Sequence, residues 1–260
     1  MNAVELSRIK LGRKRSVHDR RTLMLSRYLT APLAPPPAAS DFTPKVTTQW
    51  GMLLNDQIGD CVIAAAGHIE MVHSFNIGQS FVPSDHSIMV DYEQVGGYSP
   101  LNPATDQGCD PLTALKFWRN TGISGHTIDG FAAFNSAYQP RYMQAISLFE
   151  SAFLGFSLPL AAQQFQDGQP WDIPAGQDTT GDWEPYSWGG HMVMAPKYDA
   201  QYGYVVTWGK LVPVSWRFML TYCDEAYAVW SKDMIDALGK TPSGLDVATM
   251  QADLAEIDNS

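Results

Sequence analysis

The stretch that most constrains the fold of this 260-residue chain is Cys61-Val-Ile-Ala-Ala-Ala-Gly-His-Ile-Glu-Met-Val72. Val62, Ala65, Ala66, Ile69 and Val72 recur at helical spacing, and Asp60 stands where an N-capping side chain is expected. The spacing therefore predicts a helix that starts at Cys61 and is apolar enough to be buried. A thiol at such a position feels the positive end of the helix dipole and nearby amide donors, which stabilise its thiolate. The plainer reading is a small buried cysteine in an alanine-rich helix.

A long buried helix needs a core around it, and 45% hydrophobic residues in 260 suffice for one principal domain. No run approaches the roughly 18 apolar residues of a membrane span. Composition excludes a disordered chain as well as a membrane protein. Met1 to Lys14 lack the apolar run of a secretory signal, so a cytoplasmic protein, or one inside an assembled particle, is expected.

Charge divides the chain unevenly. Residues 1–28 hold eight of the seventeen basic side chains and two acids, a net +6, which leaves −16 on the other 232 residues. The acidic body repels nucleic acid, whereas the basic arm suits either plain solvation or docking to the body, a partner protein or a phosphate polymer. Asp19 to Tyr28 could form a short helix that buries Leu23, Leu25 and Tyr28. The run Ala31-Pro-Leu-Ala-Pro-Pro-Pro-Ala-Ala39 then reads as an extended spacer. The expected division is an arm and spacer over 1–39, a main domain over 40–240 and an acidic helical tail over 241–260. In the tail, Met250, Leu254 and Ile257 share one helical face.

Within the main domain the pattern turns from helical to strand-like, which predicts an α+β fold. Helices are expected over Leu112 to Gly122 and Tyr142 to Phe153. Strands are expected at Leu154–Pro159, His191–Ala195, Tyr204–Trp208 and Ala226–Trp230, with an irregular loop over 160–188. The three cysteines, Cys61, Cys109 and Cys223, allow at most one bridge and form no Cys-x2-Cys zinc pair. No nucleotide-binding glycine loop is present. No metal or cofactor is expected.

A nucleophilic cysteine needs a base. Of His18, His68, His73, His86, His126 and His191, only His191 has a fitting context. It follows Ser187-Trp-Gly-Gly190 and opens an apolar strand, and the glycines leave room for a substrate backbone. His68 and His73 lie five apart on one helix, about 140° around it, and read as structural. Trp188, Gly189, Gly190 and Trp208 are candidates for a substrate groove, although Trp171, Trp183 and Trp188 could equally pin the loop to the body.

At this point the order of landmarks resembles the papain-like cysteine peptidases. Ser40-Asp41-Phe42, Lys45-Val46 and Asn55-Asp56-Gln57 resemble that family's mature start and the approach to its catalytic cysteine. Gly108-Cys109-Asp110 and the following helix resemble its Gly-Cys-x-Gly-Gly element. Gly190-His191 to Asp199, then Tyr204 to Gly209, resemble its His strand and its Asn-Ser-Trp-Gly strand. The resemblance spans roughly residues 40–230 and implies a two-lobed fold, with a helical lobe headed by Cys61 and an antiparallel sheet lobe carrying His191. It also implies Cys61 as nucleophile, His191 as base and Gln57 with the Cys61 amide as oxyanion donors.

The sequence departs from the family at two points. The family places five residues between its Gln and its Cys, whereas three separate Gln57 from Cys61. With Trp208-Gly209 aligned, the residue that orients the histidine falls on Val206, and strand alternation puts Thr207 on the opposite face. The expected activity is hydrolysis of a peptide or amide bond through an acyl-enzyme on Cys61. The rivals are a catalytically degenerate scaffold, such as a phage particle component docking through its arm, and an acyl-transferring relative of the transglutaminase or amidase kind. With only about 40 residues before Asp41, an inhibitory propeptide is not expected, and the arm is read as a docking element for a protein partner.

Overall fold

The computed structural model describes residues 6–17, 19–29, 35–231 and 247–258. His18 and most of the tail's first half lie outside them. The helix expected at Cys61 is α1, Cys61–Asn76. It is buried from Cys61 through Phe75, the fate of a helix apolar on all sides. Each fully buried Val or Ile there contributes about 1.5–3 kcal/mol relative to exposure. Helices α2 (Asp85–Gly96) and α3 (Pro111–Asn120) complete the helical lobe. Asp110 caps α3 by accepting the Thr113 amide at 2.7 Å, with Pro111 in the first turn. α2 was not legible in the sequence; it is announced only by the reciprocal Ser84–Ser87 capping box.

The second lobe is an antiparallel sheet. In chain order its strands are β1 (Ser40–Asp41), β2 (Gly130–Ala133), β3 (Ala152–Leu158), β4 (Gly189–Tyr198), β5 (Tyr202–Thr207), β6 (Lys210–Ser215) and β7 (Cys223–Trp230). Spatially they run β2-β7-β3-β4-β5-β6, with β1 on β4. The remaining helices are α4 (Gln139–Phe149), α5 (Trp216–Tyr222) and α6 (Ala248–Asp258). The helix expected to reach Phe153 stops at Phe149, because Glu150 turns left-handed at φ 62° and Ala152 and Phe153 enter β3. In the arm, Asp19–Tyr28 forms only a 3-10 turn over Leu25–Arg27, yet Leu23 and Leu25 are buried as expected. Residues 160–188 hold no regular element beyond two 3-10 turns.

The sheet carries a core on each face. Phe153, Met192, Met194, Val206 and Tyr227 pack with α1 and its neighbours. Leu154, Phe156, Val193, Val205 and Ala226 face the other way, toward α4, α5 and the loop tryptophans. That second core also takes in Leu6, Ile9, Leu23 and Leu25 from the arm and Met250 and Leu254 from α6.

His68 and His73 are structural, as the sequence implied. His68 Nε2 lies 3.0 Å from the Trp50 carbonyl, and His73 Nε2 lies 3.2 Å from that of Phe149. Burial pushes each imidazole down to about 4. An unfolded chain takes up these protons near pH 6.5 and the folded one does not, so each ring removes stability as pH falls from about 6.5 to about 4. The loss reaches about 1.4 kcal/mol per pH unit and per ring. His68→Gln keeps a donor for the Trp50 carbonyl and should flatten the fall in urea-unfolding free energy across that range; an unchanged slope refutes this assignment.

Candidate active site

Cys61 opens α1, whose principal packing partner is β4, the strand that carries His191. The Met192 amide donates to Cys61 Sγ at 3.5 Å, so the thiol lies against the backbone next to His191. Asp60 does not cap the helix through its side chain, contrary to expectation. Its main-chain carbonyl takes the amides of Ile63 and Ala64, while both carboxyl oxygens are buried without partners. Burial drives that carboxyl well above its ordinary range, toward the neutral form.

The imidazole of His191 is fixed from two sides. Its Nε2 lies 2.7 Å from Thr207 Oγ1, and Trp208 stacks on the ring at 4.7 Å with 17° between planes. Thr207, not Val206, is the residue that contacts the imidazole nitrogen, and the expectation that it faces away is corrected. The cause is register. β4 and β5 pair at Met194–Val206 and then shift before Lys197–Tyr204, and Trp208-Gly209 forms a tight turn with both residues at positive φ. Val206 consequently joins Met192 and Met194 on the face toward α1, and Thr207 shares the opposite face with His191. Trp171 and Trp188 pack on Trp208 at 5.8 and 5.9 Å, so the loop tryptophans pin the loop and buttress the histidine's cover together.

The two candidate oxyanion side chains separate cleanly. Gln57 is exposed, whereas Asn55, with five residues between it and Cys61, is buried and its Oδ1 has no hydrogen-bond partner. The signal was present in the sequence, since five is the family's spacing, but the residue type drew attention to Gln57.

The cleft is filled by the arm, which corrects the expectation of an arm suited to docking on a partner rather than to blocking. Arg13 N–H donates to the Gly190 carbonyl at 3.0 Å on the sheet side. On the helical side Cys109 N–H donates to Gly12 O at 2.9 Å, and Lys14 N–H donates to Cys109 O at 3.1 Å. Gly189 lies against Leu11. The approach tolerates no side chain. A Cβ on Gly12 would lie 1.7 Å from Gly59 O, and one on Gly190 would lie 2.2 Å from Arg13 O. The Gly12 amide also favours the thiolate form of Cys61 electrostatically. Arg13 is wholly buried, with Nη1 on Glu225 at 2.8 Å and Nη2 on Asp224 at 2.6 Å and on the Tyr186 hydroxyl at 2.8 Å.

Closure sets the electrostatics. Cys61 and His191 are both fully buried. Burial pushes the thiol up to about 11, against the Met192 and Gly12 amides, which pull it down. Burial, helped by the Arg13 charge, pushes the imidazole down to about 3. His191 Nδ1 has no hydrogen-bond partner, so with the arm in place the pair consists of a neutral thiol and a neutral ring that are not bonded to each other. All three cysteines are free and buried, and the described residues contain no cluster of three or more His, Cys, Asp or Glu able to hold a metal.

No protein-family model and no curated protein matches the sequence. The structure matches cysteine protease structures. Xylellain, a cysteine protease from Xylella fastidiosa, superposes at TM-score 0.63 with 14% identity, covering 86% of this chain and 97% of xylellain. Digestive procathepsin L 3 of Tenebrio molitor larval midgut gives 0.57 at 11% identity, covering 88% and 77%. The Carica candamarcensis cysteine protease CMS1MS2, in complex with E-64, gives 0.51 at 16%, covering 75% and 99%. The chain has the papain-like fold in a divergent form.

Gly12→Ala should expel the arm, hydrate the thiol and lower its pKa. Alkylation of Cys61 by iodoacetamide at pH 7.5, followed by peptide mass spectrometry, should be at least about tenfold faster than in the unaltered chain, where a thiol near 11 is almost entirely protonated. Equal rates would show that the arm does not govern access to Cys61.

Proposed function

We propose that the chain is a cysteine hydrolase of peptide or amide bonds, held latent by its own arm. One observation carries the reading: the helix-initial Cys61 lies against the strand of a histidine whose ring is oriented by Thr207 and covered by Trp208. The peptidase neighbours support the substrate class, and one of them is itself a procathepsin.

With the arm displaced, water and substrate enter the cleft and the desolvation that suppresses both charged forms is relieved. His191 Nδ1, opposite the Nε2 that Thr207 holds, then takes the thiol proton. The thiolate attacks the substrate carbonyl carbon, and the Cys61 amide at the first turn of α1 and the Asn55 carboxamide receive the oxyanion. The imidazolium returns the proton to the departing amine. Water, deprotonated by His191, hydrolyses the thioester and frees Cys61. Asn55 replaces Gln57 in this scheme because it is buried at the family spacing, and the donor is its Nδ2 amide. No catalytic role is left for Val206, whose side chain packs in the helical lobe.

A scaffold docking to a partner through residues 1–30 is less well supported, since Leu6, Ile9, Arg13, Leu23 and Leu25 are already buried within this chain. No helix among the described residues is long and apolar enough to cross a membrane.

In a Gly12→Ala background, turnover of a quenched fluorescent peptide library should vanish with Cys61→Ala or His191→Ala. Asn55→Ala should lower kcat about 10²–10³-fold, the usual cost of a lost oxyanion donor, while Gln57→Ala should have little effect. Turnover that survives Cys61→Ala, or an arm-displaced protein that cleaves nothing in the library, refutes the hydrolase reading.

A further inference from the structure

The site that holds Arg13 is more elaborate than an arm needs for attachment. Glu225 is buried, and its second oxygen accepts the Tyr227 hydroxyl at 2.7 Å, a contact within β7 that does not involve the arm. Asp224 is fixed in the same way by the Tyr186 hydroxyl at 2.5 Å. The pocket floor is Gly155, where a Cβ would lie 2.9 Å from Arg13 Cδ and 3.0 Å from Nε, so only a glycine leaves room for the side chain. The Tyr186 ring adds a face to the guanidinium, 5.5 Å from its carbon. Two carboxylates, two hydroxyls that aim them and a cleared floor form a receptor for a planar cation. The occupant's backbone pairs at the same time with both walls of the cleft, at Cys109 and Gly190, beside the Cys61 thiol. Asp224 and Glu225 also line an outer groove of about 480 Å³ that lies along the arm.

We propose that this pocket selects substrates: the hydrolase acts on peptides that place an arginine side chain between Asp224 and Glu225, the position Arg13 fills in the latent chain. The proposal rests on the hydrolase reading for its functional meaning, but the pocket's preference can be measured without turnover. A neutral side chain of the same length leaves the carboxylates without a counter-charge, and lysine offers one point charge where arginine spans both acids. The arm and a substrate therefore compete for one receptor.

The test uses the full chain carrying Cys61→Ala and Arg13→Ala, titrated calorimetrically with acetyl-Leu-Gly-Arg-Lys-amide and with its citrulline counterpart. The arginine peptide should bind at least about tenfold more tightly, and adding Glu225→Gln should erase the difference. Should Arg13→Ala fail to fold because two acids lose their counter-ion, Cys61→Ala with Gly12→Ala displaces the arm while keeping the pocket, and the same preference is expected. Equal affinities for the two peptides, or no binding of either to a protein with native near-ultraviolet dichroism, overturn the proposal. A companion assay of Gly12→Ala on peptides differing only in Arg against Leu separates the two claims. Arginine-selective binding without cleavage overturns the hydrolase reading alone, whereas cleavage indifferent to arginine overturns the pocket alone.

Discussion

The closed state depends on one buried cation. Arg13 reaches across the cleft from the arm to Glu225 and Asp224, more than two hundred residues away in sequence, and its side chain is excluded from solvent. Removing one member of such a buried pair typically costs about 3–5 kcal/mol, because the remaining charge is left desolvated. The half-exposed Lys10–Asp106 contact and the Arg15–Tyr186 contact run along the same segment, but pairs open to solvent contribute far less. Burial pushes the Glu225 carboxyl up, and the Tyr227 hydroxyl and the Arg13 guanidinium pull it back. Within the cleft the arm is therefore held by this ion pair together with the backbone bonds at Gly12, Arg13 and Lys14, while Leu6, Ile9, Leu23 and Leu25 anchor it in the core on either side.

The state of the catalytic candidates follows from that closure. A helix N-terminus favours a thiolate, but the favour depends on amides and water that can reach the charge. Under the arm, desolvation outweighs it and both thiol and imidazole are neutral. The neighbouring Asp60, buried without side-chain partners, would add an unfavourable negative charge if ionised, and burial drives it toward neutrality as well. Closure is therefore electrostatic as well as steric: the segment that fills the cleft also removes the solvent that a thiolate–imidazolium pair requires.

The sequence disclosed what local periodicity can carry. The Cys61 helix, the His191 strand and their order along the chain were legible, because an apolar run of period 3.6 and an apolar run after two glycines each have one sensible burial. Thr207 was not legible, because its place beside His191 depends on the pairing that sets Val206 opposite Met194, which alternation within one strand does not contain. The arm's place was not legible for a different reason. Basic composition suggests a solvated or docking tail, and nothing local shows that one arginine among eight has two acids waiting in β7. At the oxyanion position spacing and residue type point to different residues, Asn55 by the first and Gln57 by the second. β2, β6 and α5 are short, and the contacts that define them are long-range.

Trp208 shows how closely the fold and the candidate chemistry are joined. It sits at the tip of the β5–β6 turn at φ 47°, a conformation that costs a bulky residue energy and is held here by packing on Trp171 and Trp188. That placement lays the indole flat on His191 while Thr207, the residue before it, holds Nε2. One tight turn therefore sets both the plane of the imidazole and which of its nitrogens is left unpartnered. With Nδ1 as the base, Nε2–H donates to the Thr207 hydroxyl oxygen, a looser restraint than a planar carboxamide, and the flat indole cover compensates by limiting how far the ring can turn. Two adjacent residues thus restrain the ring, Thr207 at Nε2 and Trp208 across its face, although no asparagine stands at Val206.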